Sequence, residues 1–288
     1  MTLTEQLAEI RFSSPQRVAL AMAARPQGAR PEPGERLIFI ALDHPARGAL
    51  GAGDDAWAMA SREDLLERCI TALANPGVRG FLGTPDLVED LTLLGALDGR
   101  LVLGSMNRAG LQGSAFEIDD RMTAYDARGI VVSGLDGGKL LLRIDPTDPA
   151  TSPMLERAAR AIDSLSEAQK VAMVEPFISG VQGGRITNDL STEAVLKSVT
   201  IASALGRTSA YTWLKVPYVA DMERVVGATT LPCLLLGGEV PNDADQAMRD
   251  WEASLALPNV KGLVIGRTVL FPRDGDVAAA VQRLVEML

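Results

Sequence analysis

A chain of 288 residues, 47% of them hydrophobic, is long enough to bury a sizeable core and too apolar to be disordered. Its 28 basic and 37 acidic side chains leave a formal charge of −9 with no basic run, which argues against nucleic acid or an anionic membrane as partner. Two distant cysteines, Cys69 and Cys233, and a single histidine, His44, argue against a disulfide scaffold and a three-histidine zinc site, and fit a reduced, cytoplasmic protein.

No uncharged run reaches the ~18 residues of a membrane span, and the N-terminus does not read as a signal peptide. The stretch to about Ala24 is predicted helical, and a Pro/Gly linker from Pro26 to Gly34 follows. Leu37–Leu42 reads as a buried strand that ends on Asp43-His44-Pro45-Ala46-Arg47-Gly48. Ser61, with Asp64 three residues on, marks a helix start, and that helix runs to Pro76. A second strand over Val78–Gly83 precedes a helix from Pro85 to Leu97, and Leu101–Gly104 is a third strand. The stretch Phe116–Leu135 suits either state, and its spacing is read here as helix.

Lys139–Asp145 is the fourth strand, followed by a helix through Met154, Leu155 and Ile162. The fifth strand, Val171–Glu175, is expected to stop at Pro176. A helix over Thr192–Leu205 leads to the sixth strand, Tyr211–Tyr218, and a short helix over Asp221–Gly227 follows. The seventh strand, Leu234–Gly238, precedes a helix from Asp243 to Leu255. Gly262–Arg267 is the eighth strand, and a helix over Val277–Leu288 closes the chain. Eight apolar runs, most followed by a helical pattern, predict one (β/α)8 TIM barrel over residues 35–288, with residues 1–34 as a helical extension and linker. A doubly wound open sheet is the competing fold, but no G-x-G-x-x-G follows an early strand.

Barrel chemistry sits at the C-terminal ends of the strands. Those ends carry Asp43, Arg143 with Asp145, Glu175, Lys215, Gly237-Gly238 and Gly266-Arg267. Lys215 shares one face of its strand with Trp213, and an amine held among apolar neighbours is a nucleophile for carbonyl carbon. Taken alone, it reads more readily as a strand-end lysine that snorkels to solvent. Lys139 and Arg143 share a face by period two, so Lys139 is either an inward cation near Lys215 or a charge at the strand base. Glu175 either shuttles protons, which asks for titration near neutrality, or only orients Lys215. Asp43 is either an acid that meets a substrate hydroxyl or a cap for its own loop. Gly237, Gly238 and Gly266 permit close backbone approach, and Arg267 adds a bidentate cation where barrels commonly hold phosphate.

The chain resembles the class I, Schiff-base aldolases grouped with deoxyribose-phosphate and tagatose-bisphosphate aldolases. The resemblance runs from Leu37 onward and is carried by Leu42-Asp43-His44, Lys139-Leu140-Leu141-Leu142-Arg143, Val174-Glu175-Pro176, Leu214-Lys215-Val216 and Ile265-Gly266-Arg267. It implies Lys215 as the Schiff-base lysine, Glu175 as proton shuttle, Asp43 and Lys139 as further catalytic residues, and Arg267 in a phosphate site; Arg143 and His44 are expected among the substrate-binding residues. It implies no metal and no cofactor. The Asp43–Gly48 loop departs from the tagatose enzymes and resembles an actinobacterial inositol-catabolism branch. That branch implies cleavage of 5-dehydro-2-deoxyphosphogluconate to dihydroxyacetone phosphate and malonate semialdehyde. A transferase or epimerase using the same lysine, or a non-catalytic sugar-phosphate-binding barrel, remains the alternative. The expected partner is a small sugar phosphate, and a homo-oligomer is left open.

Overall fold

Leu37, Phe39 and Ala41 of β1 (Leu37–Leu42) enter one apolar cluster, while Ile38, Ile40 and Leu42 enter another. Side chains alternate across a strand, so both faces of β1 are buried, as a parallel strand covered by helices requires. The first cluster fills the centre of a closed barrel and the second lies between the strands and an outer ring of helices. The structure is a computed structural model and describes residues 1–238, 240 and 244–288, without the side chain of Ala244.

The remaining strands are β2 (Gly80–Gly83), β3 (Leu101–Ser105), β4 (Gly137–Ile144), β5 (Val171–Gln182), β6 (Arg185–Asn188), β7 (Thr212–Pro217), β8 (Cys233–Leu236) and β9 (Val260–Ile265). The order β4-β3-β2-β1-β9-β8-β7-β5 closes through β4–β5 pairing into a ring of eight parallel strands. This is the expected (β/α)8 barrel. Strand β6 lies outside the ring, antiparallel to the far end of β5. At Gly80 a Cβ would sit 2.3 Å from the Phe39 ring, so glycine there makes room for the aromatic that plugs the barrel.

Helices α1 (Leu3–Ser13) and α2 (Gln16–Ala24) precede the barrel, broken at Ser14-Pro15. The ring helices are α3 (Arg62–Leu73), α4 (Pro85–Leu93), α5 (Ala127–Val132), α6 (Thr151–Glu167), α7 (Thr192–Ser203), α8 (Met222–Val226), α9 (Ala244–Leu255), α10 (Arg267–Leu270) and α11 (Val277–Val285). The amide of Asp64 donates to the Ser61 hydroxyl, the expected cap of α3. Arg25 is fully buried beneath the barrel, where its guanidinium donates to the carbonyls of Arg100 at 2.9 Å and Gly134 at 3.0 Å.

Three expectations need correction. The stretch Phe116–Leu135 is helical only over α5, because Asp126 caps that helix and the residues before it are committed to buried loop contacts. The helix after β2 stops at Leu93, and Gly95 then adopts φ +72, a left-handed conformation that suits glycine. Pro176 does not end β5, which runs on to Gln182. Pairing to β7 has already ceased at Val174, while pairing to β4 continues through Ile178. The expected helix start at Asp243 lies outside the described residues.

Candidate active site

The inward positions of the strands change from apolar to ionic on the way up the barrel. On β1 the series Leu37, Phe39, Ala41 is followed by Asp43; on β5 Val171 and Met173 are followed by Glu175; on β7 Trp213 is followed by Lys215. Lys139 enters from β4 and is 2% exposed. These four side chains meet. Glu175 Oε1 lies 2.8 Å from Lys215 Nζ, and its Oε2 contacts Lys139 Nζ. Lys139 also reaches Asp43 Oδ2 at 3.1 Å.

Asp43 Oδ2 accepts two more hydrogen bonds, from Ser105 Oγ at 3.0 Å and from the Arg108 guanidinium at 2.6 Å. Arg108 also donates to the Asp43 carbonyl at 2.6 Å, so it grips that residue from both sides. Burial pushes the Asp43 carboxyl up, but Arg108, Lys139, His44 and Lys215 together hold it well below the usual carboxylate range. Burial likewise opposes ionisation of Glu175, yet Lys139 and Lys215 prevail and bring it down to about 2. In the free protein Glu175 is thus held ionised between two ammonium groups. Burial lowers Lys139 below its ordinary value, against the pull of Asp43 and Glu175.

The quartet forms the floor of a cavity of about 810 Å³. Of the residues singled out in the sequence, ten line it: Asp43, His44, Lys139, Arg143, Glu175, Lys215, Gly237, Gly238, Gly266 and Arg267. Arg267 Nη2 donates to the Gly238 carbonyl at 3.3 Å, and Gly238 holds φ +63. A Cβ on Gly266 would lie 2.4 Å from the Ala41 carbonyl, so only glycine lets β9 turn against β1 there. Arg143 pairs with Glu117 at 2.8 Å at the cavity wall. Asp145, also at a strand end, instead accepts from Thr147 and braces its own loop.

The Cgl0159-like family matches residues 35–285. This chain belongs to that family. The crystal structure of Cgl0159 from Corynebacterium glutamicum (Brevibacterium flavum) superposes with a TM-score of 0.96 at 48% identity, covering 99% of this chain and 96% of that chain. A Schiff-base-forming fructose-1,6-bisphosphate aldolase superposes with a TM-score of 0.63 at 18% identity, over 94% of this chain and 99% of that one. An archaeal fructose-1,6-bisphosphate aldolase, solved with its catalytic lysine bound to the carbinolamine intermediate, gives 0.63 at 17% identity over 94% and 98%. At these identities the likeness is one of fold. No curated protein matches the chain.

Several residues that build this Cgl0159-like cavity escaped the sequence reading. Arg47, within the strand-one motif, is buried and donates to the carbonyls of Asn107 at 2.7 Å and Gly110 at 2.9 Å, and it pairs with Asp120. It thereby folds the loop after β3 over the cavity, and that loop supplies Arg108 and Glu117. The β5–β6 hairpin contributes Gly183, Gly184, Arg185, Ile186 and Asn188 to the cavity lining. Among the described residues, no helix is long and apolar enough to cross a membrane.

Proposed function

We propose that this protein is a class I aldolase that cleaves a phosphorylated keto sugar or sugar acid through a Schiff base on Lys215. The observation that carries the reading is the buried Lys215–Glu175 contact of 2.8 Å on the floor of a cavity walled mainly by cations. Seven basic side chains line that cavity against three carboxylates, in a chain whose formal charge is −9. A cationic pocket in an acidic protein selects for an anionic ligand.

Lys139 has both of its neighbouring carboxylates to hold it, whereas Lys215 has Glu175 alone and is the amine available for attack. Lys215 Nζ adds to the carbonyl carbon, and the oxygen leaves as water to give an iminium. Transfer of the proton from the hydroxyl two carbons away to Glu175 breaks the bond between that carbon and the carbon next to the iminium, and the bond's electron pair passes into the iminium to give an enamine. The aldehyde departs, the enamine takes a proton at carbon, and water releases the keto product. Glu175 is within reach of every proton at that nitrogen. When the ammonium becomes a neutral carbinolamine nitrogen, one of the two cations that depress Glu175 is gone. Its proton affinity then rises at the step that needs an acid.

Within this class the Asp43–Gly48 loop supports 5-dehydro-2-deoxyphosphogluconate as substrate, and the two buried free cysteines support a cytoplasmic enzyme. The test is borohydride reduction in the presence of candidate keto phosphates, followed by intact-mass and peptide analysis. The reduced adduct is expected on Lys215 and absent from Lys215→Ala. An adduct on Lys139 would overturn the assignment.

A further inference from the structure

We infer that the end of β4 and the β5–β6 hairpin form a second anion subsite, so that the ligand carries a negative group at each end. In the ring order, β4 stands four strands from β9 in either direction, so the two are diametrically opposed. Arg143, near the top of β4, and Arg267, just past β9, therefore face each other across the mouth. Lys215 on β7 lies midway between them around the ring. A ligand that spans both arginines passes over the lysine.

The far end has its own cations. Arg185 follows the Gly183-Gly184 turn, whose φ values of +57 and +78 fold the hairpin tightly back on itself. It lines the cavity, and among the described residues no carboxylate pairs with it. Arg143 gives two nitrogens to Glu117 but keeps its buried Nε–H without a partner. Burial and then the nearby Arg47 lower the Arg143 pKa, against the pull of Glu117, Asp120 and Glu175. A cavity of about 810 Å³ lies high in the range of small-molecule sites, roughly 300–1,000 Å³, and a phosphate at Arg267 leaves the opposite end to be filled. A guanidinium takes carboxylate or phosphate with the same fork of donors, so the shared chemistry is a planar or tetrahedral oxyanion.

The inference rests on the aldolase reading and deepens it, assigning residues to the anionic end of the ligand away from the phosphate at Arg267, and its test avoids the Schiff base. Glucitol 6-phosphate, glucitol 1,6-bisphosphate and 6-phosphogluconate all lack a carbonyl able to form an imine. Titration calorimetry of the wild-type protein is expected to show at least one doubly anionic compound binding about 10-fold or more tighter than glucitol 6-phosphate. The tighter of the two identifies the second group as phosphate or carboxylate. Arg185→Ala, on an exposed hairpin, is expected to remove most of that advantage while the monophosphate binds as before. Equal affinities in the wild type, or an advantage that survives Arg185→Ala, would overturn the subsite. Borohydride trapping on Lys215 is read separately, so either idea can fail alone.

Discussion

Glu175 and Lys215 stand side by side because β5 and β7 run in a register that pairs Val174 with Leu214. The 2.8 Å contact is thus built into the sheet rather than into a loop. With its other oxygen on Lys139, the carboxylate holds two ammonium groups apart on the barrel floor. Glu175→Gln keeps the shape and removes the proton acceptor. We expect kcat to fall by about 10²–10⁴, the usual contribution of a general acid–base group, while borohydride still traps substrate on Lys215. Near-normal kcat would reduce Glu175 to a scaffold.

Arg267→Ala addresses the phosphate. A charge-assisted hydrogen bond in a desolvated site contributes roughly 1.5–3 kcal/mol, so phosphorylated substrates should bind about 10- to 150-fold more weakly. Unphosphorylated analogues should change little, because they never used the contact. Equal losses for both would show that Arg267 holds the rim through Gly238.

Turnover is expected to survive prolonged incubation with EDTA. The lysine mechanism polarises the carbonyl as an iminium and asks nothing of a Lewis acid, unlike metal-dependent aldol chemistry. Activity lost to chelation and recovered with zinc would sink it.

His44 gives a pH test with a single reporter, since it is the chain's one histidine. Burial lowers its pKa to about 3, with Asp43 opposing and Arg267 and Lys215 adding to the fall. Its folded pKa lies below the unfolded value of about 6.5, so the stability it contributes is complete above 6.5 and declines as pH drops toward 3. The slope is at most about 1.4 kcal/mol per pH unit, an upper bound because the imidazole is 27% exposed. Nitrogen-15 shifts should report a neutral ring at pH 5. A titration midpoint near 6.5 would contradict the half-buried, cation-flanked setting.

The barrel was legible because strands buried on both faces leave an unbroken apolar run, as in Leu37–Leu42. Asp43, Glu175 and Lys215 were legible because period two carries an inward series to its polar end. Arg108 was not: its partner Asp43 lies 65 positions away, and nothing in a loop's spacing announces such a pair. Glu117 sat in a stretch whose apolar spacing suggested helix, and its ion pair with Arg143 is a tertiary fact. The β5–β6 hairpin was hidden by Pro176, since a proline reads as a stop unless pairing to the strand on that side is known to have ceased already.

The buried Arg25 also sets an order of events during synthesis. Its acceptors belong to residues as far as 109 positions downstream, at the carbonyl of Gly134. At about 5–20 residues per second, a ribosome needs roughly 5 to 20 s to deliver that partner after Arg25 has emerged. A guanidinium does not enter an apolar interior before its acceptors exist. The segment made first is therefore the one that must wait, and α1 and α2 take their final seat only after the first half of the barrel has left the tunnel.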